Sequence, residues 1–448
     1  MRNRSIFLMC LLVVVVLLTS LPALAQDVTE VRVWIAFTDG RLDWTREVAA
    51  AFNEAHPDYN VVVDGYANYE EILDATVLAL EQGNPPAVVQ WFEVGTQFAR
   101  DSGYFKPIET ALDGRTEVLG EPVVLDDIIE PVRSYYTLDG VFTSMPWNSS
   151  TPILYMNMEM LEAAGVEGIP ATWQDIEAAC ALVMAQDPAP AGCITWPNHG
   201  WFFEQWLAQQ DAVYANNDNG RTERATEVVF NSEAGLAVAT WWQNMYNMGY
   251  YTYSGVQRDW GATEQAIETG TVPMVITSSA DARNITRIAG ENGIEIVTSR
   301  MPYNADTGWT GNLIGGASLW LTDGLDPVVE DGALAFMQFL NNTENAAAWA
   351  STVTGYIPIT NSAAELLTEQ GWYEENPNFR VAFDQINDST VTTATRGALL
   401  GTFVETRDIV TQAMEDLMLQ GGDPAERLET AVSDANAELE AYNSLYTD

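Results

Sequence analysis

Four stretches of this 448-residue chain put polar or aromatic groups where chemistry can be done. The first is Glu93. It follows the apolar run Ala87 to Phe92 and precedes Val94-Gly95-Thr96, so an acid stands where a buried strand ends. In open α/β sheets ligands bind beyond the carboxyl ends of strands. A carboxylate there either accepts hydrogen bonds from a ligand or caps the helix that follows. The second stretch is Thr277-Ser278-Ser279, which ends the apolar run Val272 to Ile276. A helical stretch begins near Ala282, and N–H groups at its start can meet an anion. The third is Pro146-Trp147-Asn148-Ser149-Ser150-Thr151-Pro152, flanked by Val141-Phe142 and Ile153-Leu154-Tyr155-Met156. It reads as a polar turn between two strands, or as a crossing between two lobes with its hydroxyls and N–H groups facing a cleft. The fourth is the cluster Trp196, Trp201, Phe202, Phe203 and Trp206. Such rings form a core, or a platform on which C–H-rich ligands such as sugars stack.

These groups need elements to hold them. Val31 to Phe37 predicts a buried strand, followed by a polar loop and a helix that ends at Ala55-His56-Pro57, because proline cannot continue it. Val61-Val62-Val63 is the next strand, and Asn68-Tyr69-Glu70-Glu71 opens a second helix that Gly83-Asn84-Pro85-Pro86 breaks. This strand–helix order through Phe92 predicts a parallel sheet covered on both faces. Thr172 and Asp175 form a capping-box pattern ahead of a helix whose apolar face carries Ile176, Ala179, Cys180, Val183 and Met184. Trp241, Trp242, Met245 and Met248 predict a core-facing helix. Gly315 and Gly316 lead into an apolar run through Leu321, where glycines permit close backbone approach or mark a bulge. Beyond Pro327 the chain reads as mostly helical.

Composition narrows the function. Arg2 and Arg4 precede an apolar run from Ile6 to Leu18, and Ala23-Leu24-Ala25 supplies a cleavage site, so residues 1–25 read as a secretory signal peptide. Cys10 lacks the small residues that precede a lipidated cysteine. Removing the two arginines and no acid takes the formal charge from −44 to −46. Such a surface cannot neutralise nucleic-acid phosphates, and any anion site must be built locally. In an exported chain Cys180 and Cys193 form either a disulfide or two buried thiols. No zinc-ligand pattern, phosphate-binding loop or hydrolase elbow is present in the sequence.

Several motifs carry a family resemblance over the whole mature chain. They are Asn84-Pro85-Pro86-Ala87 with Gln90-Trp91-Phe92-Glu93-Val94-Gly95-Thr96, Trp147-Asn148-Ser149-Ser150-Thr151-Pro152, and Ile314-Gly315-Gly316-Ala317-Ser318-Leu319-Trp320. Glu344-Asn345-Ala346-Ala347 and Thr354-Gly355-Tyr356-Ile357-Pro358-Ile359-Thr360 complete the set. The chain resembles the extracellular solute-binding proteins that deliver substrates to ATP-driven importers, and within them the glycerol-phosphate branch. The resemblance implies an α/β fold of two lobes, the type II periplasmic-binding-protein fold. It has parallel-rich sheets flanked by helices and a hinge that closes on ligand. The expected segments are 26–147 with 279–323 for the N-terminal lobe, and 148–278 with 324–448 for the C-terminal lobe.

The same resemblance implies the site. Tyr69 and Glu93 hold glycerol hydroxyls; Ser150, Ser278, Gly316, Tyr356 and Arg407 surround a phosphate; Trp196 or Trp201 covers the ligand. The spacing from Trp196 to Trp201 is longer than the family's. Trp34-Ile35-Ala36-Phe37-Thr38 stands where the family has a Trp-His-like pair. The residue types suit the chemistry, since a guanidinium binds phosphate bidentately and a carboxylate takes vicinal hydroxyls. Implied too are a periplasmic or extracellular monomer, no cofactor and no catalysis, with two permease subunits and an ATPase as partners. Two alternatives stay open: a binder of neutral sugars or oligosaccharides, and a secreted glycoside hydrolase with paired carboxylates.

Overall fold

The computed structural model describes residues 28–446. The expected signal peptide, with Cys10 and the new terminus at Gln26, lies outside the described residues.

The first sheet begins with β1 (Thr29–Ile35), whose Val31, Val33 and Ile35 are fully buried. Helix α1 (Gly40–Ala55) starts where the Asp39 side chain accepts from the Arg41 N–H and stops before Pro57. Strand β2 (Tyr59–Gly65) pairs parallel with β1. Helix α2 (Tyr69–Glu81) is capped by Asn68, whose side chain accepts from the Glu71 N–H at 2.8 Å. Strand β3 (Val88–Phe92) is buried along its whole length and pairs parallel with β1. Short strand β4 (Phe105–Lys106) lies at the sheet's far edge.

The polar stretch at 146–152 is the crossing. Strand β5 (Met145–Ser150) belongs to the first sheet; one residue later β6 (Pro152–Asn157) belongs to the second. The second lobe continues with α3 (Trp173–Met184), which has the expected Thr172–Asp175 capping box, then β7 (Ile194–Thr195), α4 (Gly200–Gln209), α5 (Glu233–Asn247), α6 (Trp260–Glu268) and β8 (Met274–Ser278). Helix α7 (Ala282–Glu291) and β9 (Ile296–Arg300) follow. Strand β10 (Gly315–Thr322) then returns to the first sheet between β3 and β4 and also pairs with β5. Helices α8 (Pro327–Leu340), α9 (Phe403–Leu419) and α10 (Pro424–Asn443) are the long elements of the C-terminal third.

Three expectations need revision. The sheets are mixed: parallel pairing holds in β2–β1–β3 and β7–β8, while β10 runs against β3 and β6 runs against both β8 and β9. Parallel neighbours need a crossover connection. Strands β6 and β10 arrive from the other lobe instead. Segment 296–300, assigned to the N-terminal lobe, pairs with β6 in the second sheet, and α8, assigned to the C-terminal lobe, packs on β1 and α1. Met248 is exposed as the C-cap of α5.

Trp196 is a core residue. It is 1% exposed, stacks parallel to Trp241 at 5.5 Å and to Tyr251 at 4.1 Å, and meets Trp206 and Trp242 edge-on. Just before it, Cys193 is disulfide-bonded to Cys180 of α3. Truncating a buried tryptophan removes its burial and leaves a cavity, together about 3–5 kcal/mol. Trp196→Ala is therefore expected to lower unfolding free energy by about that amount in a denaturant titration. A loss below about 1 kcal/mol would place the ring outside the core.

Candidate functional site

Glu93 opens a single 3₁₀ turn directly after β3 and is 5% exposed. Its carboxylate meets Arg407 of α9: Nη2 donates to Glu93 Oε1 at 3.0 Å. The same guanidinium is held from behind by Glu204 of α4, with Nε to Oε1 at 2.8 Å and Nη2 to Oε2 at 2.7 Å. Gly200 makes this approach possible, since a Cβ there would stand 2.8 Å from Arg407 Cγ. Burial acts to lower the Arg407 pKa, but the Glu204 and Glu93 carboxylates outweigh it and raise it. Burial raises Glu204, against the pull of Arg407. Nη1 of Arg407 makes no hydrogen bond among the described residues, so one edge of the guanidinium is left for a ligand.

Tyr69 is the first residue of α2. Its ring stacks on Phe92 at 5.4 Å, and its hydroxyl accepts from Asn148 Nδ2 at 2.9 Å. Asn148 Oδ1 in turn accepts from Gln90 of β3 at 2.8 Å. Asn148 is thus the polar joint between β3, the crossing and α2. Burial raises the pKa of Tyr69 and of Tyr356, so both hydroxyls keep their protons and remain donors.

Backbone pairing gathers the remaining residues around the crossing. Ser150 pairs with Gly315 and Ser149 with Gly316. Ser278, the last residue of β8, pairs with Pro152, and its Oγ accepts from the Ala280 N–H at 3.1 Å. Ile357 N–H donates to Ser149 O at 2.8 Å, which sets Tyr356 beside the same strand. Gly316 has φ +107°, and a Cβ there would overlap the Asn148 carbonyl oxygen. Gly315 admits Trp201, whose indole would lie 2.5 Å from a Cβ at that position. The structure therefore brings Tyr69, Glu93, Ser150, Trp201, Ser278, Gly316, Tyr356 and Arg407 to one region between the lobes. It does not bring Trp196.

Residues that sequence reasoning missed complete the wall. Glu204 is the lone acid in the run Trp201 to Leu207, a signal visible only in retrospect. Trp260 lies 6.2 Å from Trp201 and 5.6 Å from His199. His199 is held neutral by burial and by the Arg407 and Arg258 charges, and its Nδ1 accepts from the Trp201 N–H. Arg258 pairs with Asp408 beside Arg407 and, at 3.5 Å, with Glu70 beside Tyr69, so it links α2 to α9. The first loop also has a role. Phe37 packs against Trp147, Trp349 and Tyr356, and Arg41 lies 4.2 Å over the Phe37 ring. Behind the Arg407 guanidinium is a cavity of only about 20 Å³, whereas one of about 500 Å³ opens next to the Tyr356 loop, lined by Arg41, Trp44, Asp281 and Thr354.

Next to that larger cavity the Glu264 carboxyl holds its proton beside Asp281. Burial, then the neighbouring Asp281 carboxyl, raises Glu264 from 4.5 to about 9, and burial raises Asp281 as well. The folded state holds this proton more tightly than the unfolded chain. Its contribution to stability is complete below pH 4.5 and is lost as pH rises toward about 9. The melting temperature is expected to fall over that window, and Glu264→Gln is expected to flatten the fall. Parallel pH–melting curves for the two proteins would contradict this.

Comparison with known proteins places this geometry. The family described as bacterial extracellular solute-binding protein matches residues 47–381. The chain belongs to that family. Among named relatives, the sn-glycerol-3-phosphate-binding periplasmic protein UgpB of Escherichia coli K12 is 32% identical over 429 residues, covering 93% of this chain and 94% of its own. The protein of the same name from Salmonella typhimurium is 33% identical over 403 residues, covering 88% and 89%. Two solved structures share the fold: UgpB from Mycobacterium tuberculosis in complex with glycerophosphocholine (TM-score 0.75, 21% identity, 92% of this chain and 99% of that one) and the sugar-binding protein MalE from Xanthomonas citri (TM-score 0.76, 17% identity, 93% and 99%). The chain is thus a two-lobed solute-binding protein. No helix among its described residues is long and apolar enough to cross a membrane.

Proposed function

We propose that this chain captures glycerol-3-phosphate, or a glycerophosphodiester, between its lobes and delivers it to the permease of an ATP-driven importer. The observation that carries this reading is the Glu93–Arg407 pair, an acceptor for hydroxyls and a donor for phosphate on facing elements of the two lobes. Glu93 and Tyr69 take the glycerol hydroxyls. The phosphate takes the free Nη1 of Arg407 with the hydroxyls of Ser150, Ser278 and Tyr356 and backbone at Gly316. Trp201 and Trp260 flank the ligand, and Phe202 packs against both rings. Glu93 occupies the Nη2 side of Arg407, so the phosphate is left the Nη1 edge and the hydroxyls the carboxylate, which sets one orientation of the ligand.

The lobes rotate about the crossing at Thr151 and its neighbours in β10 and the Tyr356 loop. The first lobe comprises β1 to β5 with β10 and α8; the second comprises β6 to β9 with α9 and α10. We read the chain as an exported carrier without catalytic activity, in which Glu93 and Glu204 serve Arg407 and neither acts as a general acid.

Calorimetric titration of the mature protein with glycerol-3-phosphate, glycerophosphocholine and maltose tests the ligand class. Heat with either phosphate ligand and none with maltose is expected. Maltose binding alone would move the chain to the sugar-binding branch, and release of glycerol or sugar products during incubation would make it a hydrolase.

A further inference from the structure

Basic residues are scarce in this chain, 19 against 63 acids, yet three arginines line one cavity of about 290 Å³. They are Arg100, Arg221 and Arg396, gathered around the hairpin from Thr137 to Gly140. The cavity is separate from the ligand region. Arg221 lies 5.2 Å over the Tyr135 ring, and the Tyr135 hydroxyl donates to Glu93 O at 3.0 Å, so this tyrosine stands between the two.

The charges here are not balanced by the protein. Arg221 donates Nε to Gly397 O at 2.7 Å, Nη1 to Tyr135 O at 3.3 Å and Nη2 to Arg396 O, all neutral carbonyls. Arg396 reaches Ser134 O with Nη2 at 3.4 Å, and its buried Nε has no partner. Among the described residues neither has a carboxylate partner. The acid in the lining, Asp139, is taken by Arg100 at the rim. Burial pulls Arg221 down to about 9, and the adjacent Arg396 charge adds to that. Two neighbouring guanidiniums out of bulk water repel each other, and an unpaired buried N–H costs about 1–3 kcal/mol. In a chain of charge −44 this arrangement needs a reason.

We propose that the cavity is a second anion site, which takes a small tetrahedral oxyanion such as inorganic phosphate between Arg221 and Arg396 with Arg100 at its rim. The anion supplies the missing counter-charge and an acceptor for Arg396 Nε. Guanidiniums match phosphate oxygens in a planar, charge-assisted geometry that a hydrated ammonium does not. The cavity's volume lies at the small end of ligand sites and suits one oxyanion rather than a saccharide.

The test is calorimetric titration of the mature protein with inorganic phosphate in a sodium chloride background, made in an Arg407→Lys variant so that the cleft contributes least. Phosphate is expected to bind, and adding Arg396→Gln is expected to weaken it at least about tenfold. Arg100→Gln, at the exposed rim, is expected to weaken it several-fold, and it decides the matter should Arg396→Gln fail to fold. No phosphate binding in the Arg407→Lys protein, or binding unchanged by Arg396→Gln or by Arg100→Gln, overturns the proposal.

Discussion

Replacing Arg407 with alanine is expected to weaken capture of a glycerol phosphate by at least about a hundredfold, because breaking a buried ion pair typically costs 3–5 kcal/mol. Two losses combine. The ligand loses the guanidinium edge at Nη1. Glu93 and Glu204, both about 5% exposed, lose the cation between them and are left as facing anions. That second loss works against a dianionic ligand even where every other contact survives. Arg407→Lys separates the two effects. It restores one positive charge but cannot hold both Glu204 oxygens and Glu93 at once. It is expected to recover stability more fully than affinity. Calorimetry with glycerol-3-phosphate and thermal melts on the three proteins check this; equal affinity in wild type and Arg407→Ala would remove Arg407 from the site.

Gly316→Ala is expected to have the second large effect, on folding and binding together. At φ +107° an L-residue is strained by about 1–3 kcal/mol. The added Cβ also overlaps a backbone oxygen, that of Asn148, which has no rotamer by which to move away. To relieve the clash, β10 must part from β5 where Ser149 and Gly316 pair, and this displaces Ser150 and Tyr356 as well. We expect a loss of more than about 3 kcal/mol in unfolding free energy, with binding abolished. Gly290→Ala is the control. Gly290 lies inside α7 with nothing near its missing Cβ, and the same substitution there is expected to be neutral or stabilising by about 0.4–1 kcal/mol.

The parts of the site legible in the sequence are those with local causes. Glu93 stands where an apolar run stops, and that run is β3. The Asn68 and Thr172 caps announce α2 and α3. Gly315 and Gly316 stand out because paired glycines at a strand entrance permit close backbone approach or mark a bulge, and the structure shows the close approach. The family resemblance then named Tyr69, Tyr356 and Arg407, which no local pattern singles out. What stayed hidden depends on partners far along the chain. Glu204 acquires meaning only through Arg407, which folds against it from the last third of the sequence. Trp196 and Trp201 look alike in a run of aromatics. The chain enters α4 at Gly200, and this turns Trp201 toward Gly315 while Trp196 stays among Trp206, Trp241 and Trp242. Strand β9 goes unmarked in the sequence between the helix near Ala282 and Asn312, because this five-residue strand is defined by its pairing with β6 far back in the chain.

We propose that one ligand spans the lobes, with its polyol end on Glu93 and its phosphate on Arg407. A crystal structure of the protein grown with glycerol-3-phosphate tests it most directly. Phosphate oxygens are expected within hydrogen-bond distance of Arg407 Nη1 and the Ser150 and Ser278 hydroxyls, with the glycerol hydroxyls on Glu93 and Tyr69. A phosphate bound away from Arg407, or a ligand reversed so that its hydroxyls meet Arg407, would contradict it.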